Sequence, residues 1–375
     1  MDRIKKLYVD AHGAIDALLK DADHEAFDLA AACVLANGRE GDATAVVLVA
    51  PPSTSKTEMV NAFSGVKWTY EQTSMTAQTF VSGWKSGSST DPSLLARLEK
   101  KGKTCLLNKE FTTVMEMRQS ERDTVLAHIR EVMDGSLSKD FGTGKTVSWS
   151  GKLGLLAAIT PAIEIRWGAH TSLGARWVWV RIETPSDAES RVEIAIAAIE
   201  SDDSAKVLRR ELKDATTKWL ESSRSVPSPG MSEKSKLYLA KLADRTAKGR
   251  TEIPKDKDGH PSGVKPEPEG TGRLARSFHR LAESLAILRG HAEINAEDLR
   301  AVTRAALDTA PVPRAKVYKA IAQRPLTIEE IVQKTSMSKS AVNRTLKDLE
   351  QVDLAVSEPV STGQRGRPSE KWRVV

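Results

Sequence analysis

Three short stretches of this 375-residue chain combine residue types and spacing that can do chemistry. The first is Ala50-Pro51-Pro52-Ser53-Thr54-Ser55-Lys56-Thr57, set between the apolar run Ala45-Val46-Val47-Leu48-Val49-Ala50 and the helical run Glu58-Met59-Val60-Asn61-Ala62-Phe63. Strand, loop, Lys-Thr and helix is the context of a phosphate-binding loop, in which backbone N–H groups cradle the anion, Lys supplies a point charge and Thr holds Mg²⁺. Ser53, Thr54, Ser55, Lys56 and Thr57 are therefore candidate nucleotide ligands. Ala50 and Ser55 stand where glycines are usual, and the eight residues read equally as a polar loop opening an ordinary helix. The second stretch lies near the C-terminus. Ser340, Asn343, Arg344 and Lys347 share one helical face, opposite an apolar face of Val342, Leu346 and Leu349, and each of the four can donate to base edges or phosphates. The third is Gly142-Thr143-Gly144, which reads as a hairpin tip flanked by Lys139 and Lys145.

Positioning these groups requires a scaffold, and the hydrophobic pattern supplies one. Four continuous apolar runs (45–50, 104–107, 153–159 and 177–180) have the character of strands buried on both faces, and helical stretches alternate with them, notably 121–133. The fold class expected is α/β with a mostly parallel, doubly wound sheet. Two helices occupy the first forty residues, Asp23 capping the second. From 188 to 222 and from 232 to 247 the pattern is wholly helical, and helices over 273–289 and 296–309 follow. Pro- and Gly-rich stretches at 223–229 and 249–270 read as loops. The divisions expected are an N-terminal helical segment (1–40), a core (41–186), a helical lid (187–312) and a terminal module (313–375).

Within that module a helix runs from Arg314 to Gln323. Thr327 and Glu330 form a capping box for a second, and a third starts at Ser338 with Met337 and Val342 as a hydrophobic staple. Two helices, a turn and a third helix with a polar, basic free face make a helix-turn-helix. Strands around 354–359 and 371–375 form a wing, with Arg365 and Arg367 at its tip placed to enter a narrow minor groove. The wing tip resembles the AT-hook core, and the module resembles the winged helix of MarR-type regulators and of MCM C-termini. A winged helix used for protein contact remains the alternative.

The composition agrees with this plan. The net charge is +6, and residues 314–375 carry 12 Lys/Arg against 7 Asp/Glu, so most of the excess sits on the terminal module. Two cysteines exclude a disulfide framework and the seven histidines show no metal-ligand spacing. No apolar run approaches the ~20 residues of a membrane helix, and a cytoplasmic location is expected.

Read in order, the Lys56-Thr57 loop, the strand ending Leu106-Leu107-Asn108-Lys109-Glu110-Phe111, the strand ending Ala158-Ile159-Thr160, Arg176 and the helix Gly272-Arg273-Leu274-Ala275-Arg276-Ser277-Phe278-His279-Arg280-Leu281-Ala282-Glu283 form a succession. It resembles the AAA+ ATPases, most closely the branch of MCM helicases and the helicase-like ATPases of phages and integrative elements. The resemblance covers residues 41–310 and implies a P-loop core with an all-α lid, ATP and Mg²⁺ between them, and a homo-oligomeric ring, a hexamer being one size it allows. By that resemblance Lys56 and Thr57 are the Walker A pair, Glu110 the Walker B carboxylate and a metal partner with Thr57, Thr160 sensor 1, Arg176 the arginine finger and Arg273 sensor 2. Arg166 and Arg181 compete for the finger role. The position of the Mg²⁺-linked Asp holds Lys109, or Asn108 if the register slips by one. The resemblance also implies that the hairpin, through Lys139 and Lys145, touches DNA.

Two functions are expected from this reading. The first is an ATP-dependent, helicase-like or remodelling ATPase of a mobile element acting on DNA. The second is a DNA-binding transcriptional regulator whose core binds nucleotide and hydrolyses it little or not at all. An interaction scaffold would leave Lys56-Thr57 and the basic wing without a use.

Overall fold

The computed structural model describes residues 1–76, 78–81, 93–142, 146–161, 176–185, 187–254, 264–360 and 369–375. Among the described residues, seven strands precede the terminal module: β1 (Ala45–Val49), β2 (Thr69–Glu71), β3 (Cys105–Asn108), β4 (Ser136–Asp140), β5 (Thr146–Ser150), β6 (Gly154–Ile159) and β7 (Trp177–Arg181). Five of them form one sheet in the order β2-β3-β6-β1-β7, and every pairing is parallel. The remaining two, β4 and β5, pair antiparallel as a hairpin outside the sheet. The four strands expected from apolar runs are those of the sheet's middle and one edge. The other edge, β2, is three residues of Thr-Tyr-Glu, too short and too polar to stand out in the sequence.

Side chains alternate across the sheet and fill two cores. Val46, Leu48, Leu156 and Val178 face a cluster built by α1 (Asp2–Leu18), α2 (His24–Gly38) and α3 (Lys56–Ala62). Ala45, Val47, Leu155 and Trp179 face the other side, where α4 (Leu94–Lys100), α5 (Thr112–Met115) and α6 (Gln119–Met133) supply Leu95, Val114, Leu126 and Ile129. The start of α2 follows the expectation, with the Asp23 carboxylate accepting from the Ala26 N–H at 3.0 Å. At its other end Gly38 lies against the Trp68 ring so closely that a Cβ would sit 2.3 Å from it.

The helical region holds α7 (Ala188–Glu200), α8 (Ala205–Ser223), α9 (Glu233–Arg250), α10 (Gly272–Arg289) and α11 (Ala296–Asp308). One stretch expected over 188–222 is thus two helices, parted at residues 201–204. Leu212 and Trp219 of α8 and Leu274, Phe278 and Leu285 of α10 join the same apolar cluster as α1, α2 and the sheet. By contrast α7 buries none of its residues.

The terminal module folds as expected. Helices α12 (Val312–Ile321), α13 (Ile328–Thr335) and α14 (Lys339–Gln351) precede the antiparallel pair β8 (Ala355–Val360) and β9 (Ser369–Val374). Both arms of the Thr327/Glu330 capping box are made. Leu326 exchanges backbone hydrogen bonds with Trp372 at 3.0 and 2.8 Å, which adds a third edge to the wing. Val317, Ile321, Ile331, Val342, Leu346 and Trp372 form its own core.

Candidate functional site

Because the sheet is parallel, the chain leaves β1, β3 and β6 at one common edge, where ligands of open α/β sheets bind. The loop after β1 turns back at Ser53, whose φ of 59° is left-handed, and reaches Ser55 at φ −63°, a conformation that costs a serine nothing. The backbone N–H groups of Ser53 and Ser55 donate to no other described residue, while Thr54 closes a hydrogen-bonded turn that starts at Pro51. Thr54 Oγ1 and Lys56 Nζ both donate to the Pro51 carbonyl, at 2.7 and 2.8 Å. The Lys56 side chain is buried and Thr57 is half-buried. Burial pushes the Lys56 amine below its ordinary value, opposed by the Glu110 carboxylate, which stands at the end of the adjoining strand segment.

The β3 exit accounts for Asn108, one of the two residues expected at the metal-linked carboxylate position. Asn108 is fully buried, its Nδ2 donates to the Gln72 and Thr73 carbonyls at 2.7 and 3.1 Å, and its Oδ1 accepts from the Glu110 N–H at 3.0 Å. It fastens the sheet edge and aims the Glu110 turn, and as a neutral amide it brings no carboxylate to this position. Thr160 ends β6 half-buried, and its N–H donates to Thr112 Oγ1 at 3.1 Å. Loop 51–57, Glu110 and Thr160 thus share one edge.

The two arginines assigned to the same chemistry do not. Arg176 opens β7 and lies at the amino edge of the sheet. β1 alone spans roughly 16 Å at about 3.3 Å per residue, so Arg176 cannot reach the Lys56 edge of its own chain. Its Nε donates to Asp134 Oδ1 at 2.9 Å and its Nη2 to Oδ2. Arg273, in the first turn of α10, reaches the same carboxylate at 3.4 Å. Of the competing fingers, Arg181 is tied to the Asp308 and Ala310 carbonyls, and Arg166 lies outside the described residues.

The arginine edge also holds what the sequence reading missed. Arg276 pairs with Asp42 at 3.2 Å, and Arg280 completes a cleft of about 250 Å³ lined by Arg176, Arg273 and both aspartates. The signal was present: Arg273, Arg276 and Arg280 fall at i, i+3 and i+7 on the face of α10 opposite Leu274, Phe278 and Leu285.

In the terminal module, Ser340, Arg344 and Lys347 are exposed and Asn343 is half-buried on α14, while Val342, Leu346 and Leu349 are buried. Ser338 caps that helix by accepting from the Ala341 N–H. Arg365 and Arg367 lie outside the described residues, as does Lys145. Lys139, on β4, stands 5.5 Å from the centre of the Phe141 ring.

Among the described residues no helix is long and apolar enough to cross a membrane, and no cluster of three or more His, Cys, Asp or Glu could hold a metal ion. A search of curated proteins finds no match to the chain. Residues 319–366, from within α12 to the wing tip, match the model of the MarR family. The geometry of three helices and a wing agrees with that match, and the chain carries a MarR-family winged helix at its C-terminal end.

Proposed function

We propose that this protein is an ATP-binding, AAA+-type protein that acts on DNA through its winged helix, as a helicase-like or remodelling ATPase of a mobile element. The observation that carries the reading is the convergence at one sheet edge of a loop whose Ser53 and Ser55 N–H groups donate to no other described residue, the Lys56-Thr57 pair, Glu110 and Thr160. This donor set fits a nucleotide. The free N–H groups and Lys56 would hold its phosphates, and Thr57 with Glu110 would hold Mg²⁺, which when bound supplies neutralising charge. Glu110 is also placed to orient a water, and Thr160 to donate a hydrogen bond.

Charge stabilisation by Arg176 and Arg273 would then come from another copy. Arg176 and Arg273 stand together on the opposite edge, which suits a ring in which the arginine edge of one subunit meets the Lys56 edge of the next. The MarR-family match and the exposed basic face of α14 support DNA as the partner.

A second reading draws on Asn108. With that side chain committed to Gln72 and Thr73, Glu110 is the one carboxylate of its pair, which favours a transcriptional regulator that binds nucleotide as a switch and turns it over little. Steady-state ATP hydrolysis with and without single- and double-stranded DNA separates the two. A motor shows DNA-stimulated turnover that is lost in Lys56→Ala and Glu110→Gln. A switch shows ATP binding that is lost in Lys56→Ala, without turnover. Absence of ATP binding in the unaltered protein would overturn both.

A further inference from the structure

The cleft at the amino edge of the sheet carries more arginines than carboxylates. Four arginines (Arg176, Arg273, Arg276 and Arg280) line it against two carboxylates, Asp42 and Asp134. Glu269, the other acid in electrostatic reach of Arg176, lies 3.2 Å from Arg250. Asp134 is the hub of the cluster. Its two oxygens take a forked contact from Arg176 and a third contact from Arg273, which come from different parts of the chain, the start of β7 and the start of α10. A guanidinium fork takes two oxygens of a carboxylate or of a phosphate in the same bidentate manner.

We propose that Asp134 is a positioning residue that fills, in the single chain, the place between Arg176 and Arg273 that the terminal phosphate of a second copy's nucleotide takes in the assembly. The inference rests on the trans-acting arginines proposed above and adds a restraint to them. Both guanidinium groups are held in place before the phosphate arrives, and the phosphate must displace a bound carboxylate to reach them. Asp134 is the residue before Gly135, whose φ of 90° turns the chain into β4, and the Gly135 carbonyl accepts from the Gly151 N–H at 3.0 Å. The carboxylate therefore sits at the root of the β4–β5 hairpin, and its release frees that root. The exchange of one anion for another at Arg176 links phosphate on a neighbour to the hairpin.

Inorganic tripolyphosphate tests this without requiring hydrolysis. Titrated calorimetrically into the full chain carrying Lys56→Ala, which removes the loop as a competing site, it should bind about tenfold more tightly when Asp134→Asn is added. The gain should vanish in the triple variant with Arg176→Ala. Asp134 is 40 % exposed and caps nothing through its side chain, so the variant should fold; Asp134→Ser provides a second replacement with the same expected outcome. Unchanged affinity in both replacements, or a gain that survives Arg176→Ala, would overturn the proposal. Amide hydrogen exchange over the described part of 136–150 should accelerate in Asp134→Asn, and unchanged exchange would sever the cleft from the hairpin. Failure of ATP to bind at Lys56 would sink the nucleotide reading and leave these anion measurements to stand or fall alone.

Discussion

Asp28 is 3 % exposed and Arg289 8 %, and these two polar side chains are accommodated in the core because each is matched. Arg289 donates to Asp28 Oδ2 at 2.8 Å and to the fully buried Asp298 at 3.1 Å, Tyr8 donates to the same Asp28 Oδ2, and His12 contacts Oδ1 at 2.9 Å. Truncating one partner strands the others in a dry core, so Arg289→Ala should lower stability by about 3–5 kcal/mol, read from the urea midpoint. An Asp28→Asn exchange, which keeps the shape, should cost less. Lys152 offers a pH test. Burial pushes its amine down to about 7, and the Arg280 charge adds to the shift, although Nζ donates to the Ala36 and Arg39 carbonyls at 2.8 and 2.7 Å. An unfolded lysine titrates near 10.4. Between about pH 7 and 10 the unfolded chain therefore holds a proton that the folded chain has released, and this residue's contribution raises stability as pH rises through that window. The difference in urea midpoint between the unaltered protein and Lys152→Met should change steadily over that range, and a difference that stays flat would contradict the assignment.

Helices differ in how much the fold depends on them. Phe278 lies on the buried face of α10, in the apolar cluster it shares with α1 and α2, and Phe278→Ala should cost about 3–5 kcal/mol. Ile196 and Ile199 of α7 are 49 % and 77 % exposed, so Ile196→Gln and Ile199→Gln should leave the melting temperature within a degree or two, since no core contact is lost. On α14 the expected loss is of DNA rather than of stability. Arg344→Ala and Lys347→Ala should each weaken binding across sequences and reduce the slope of log K against log salt by about 1 if they contact phosphate. An unchanged slope at both would direct the winged helix to protein rather than DNA. This element was fully legible beforehand: Thr327, Glu330, Ser338 and Met337 are local signals, acting within one or two turns, and the structure places each where its spacing required. The strand β2 was not, because its three residues are held by pairing with β3 and carry little hydrophobic pattern of their own.

At the scale of the whole molecule, the sheet separates two constellations. The Lys56 edge and the edge that holds Arg176 and Arg273 face opposite ways, so under the proposed reading a nucleotide at Lys56 would meet Arg176 and Arg273 of another subunit. Mixing experiments test this: Lys56→Ala and Arg176→Ala chains, each inactive alone, should recover part of their DNA-stimulated hydrolysis when combined, because intact edges can then meet. No recovery in stable mixed assemblies would argue against a shared site.

The sequence by itself determined the parallel α/β class, the loop at Lys56-Thr57, the edge position of Glu110 and Thr160, and the winged helix. Each of these depends on contiguous residues, and a strand's hydrophobic run, a cap or a helical face is set by neighbours within a few positions. Only the tertiary structure decided that Asn108 is spent on Gln72 and Thr73, that Arg181 is tied to the end of α11, and that Arg176 and Arg273 converge on Asp134. Those pairings join residues tens to more than a hundred positions apart. They arise from which strands lie side by side and which helix crosses the sheet's end, and a charge read alone in the sequence carries no record of the partner that packing will bring to it.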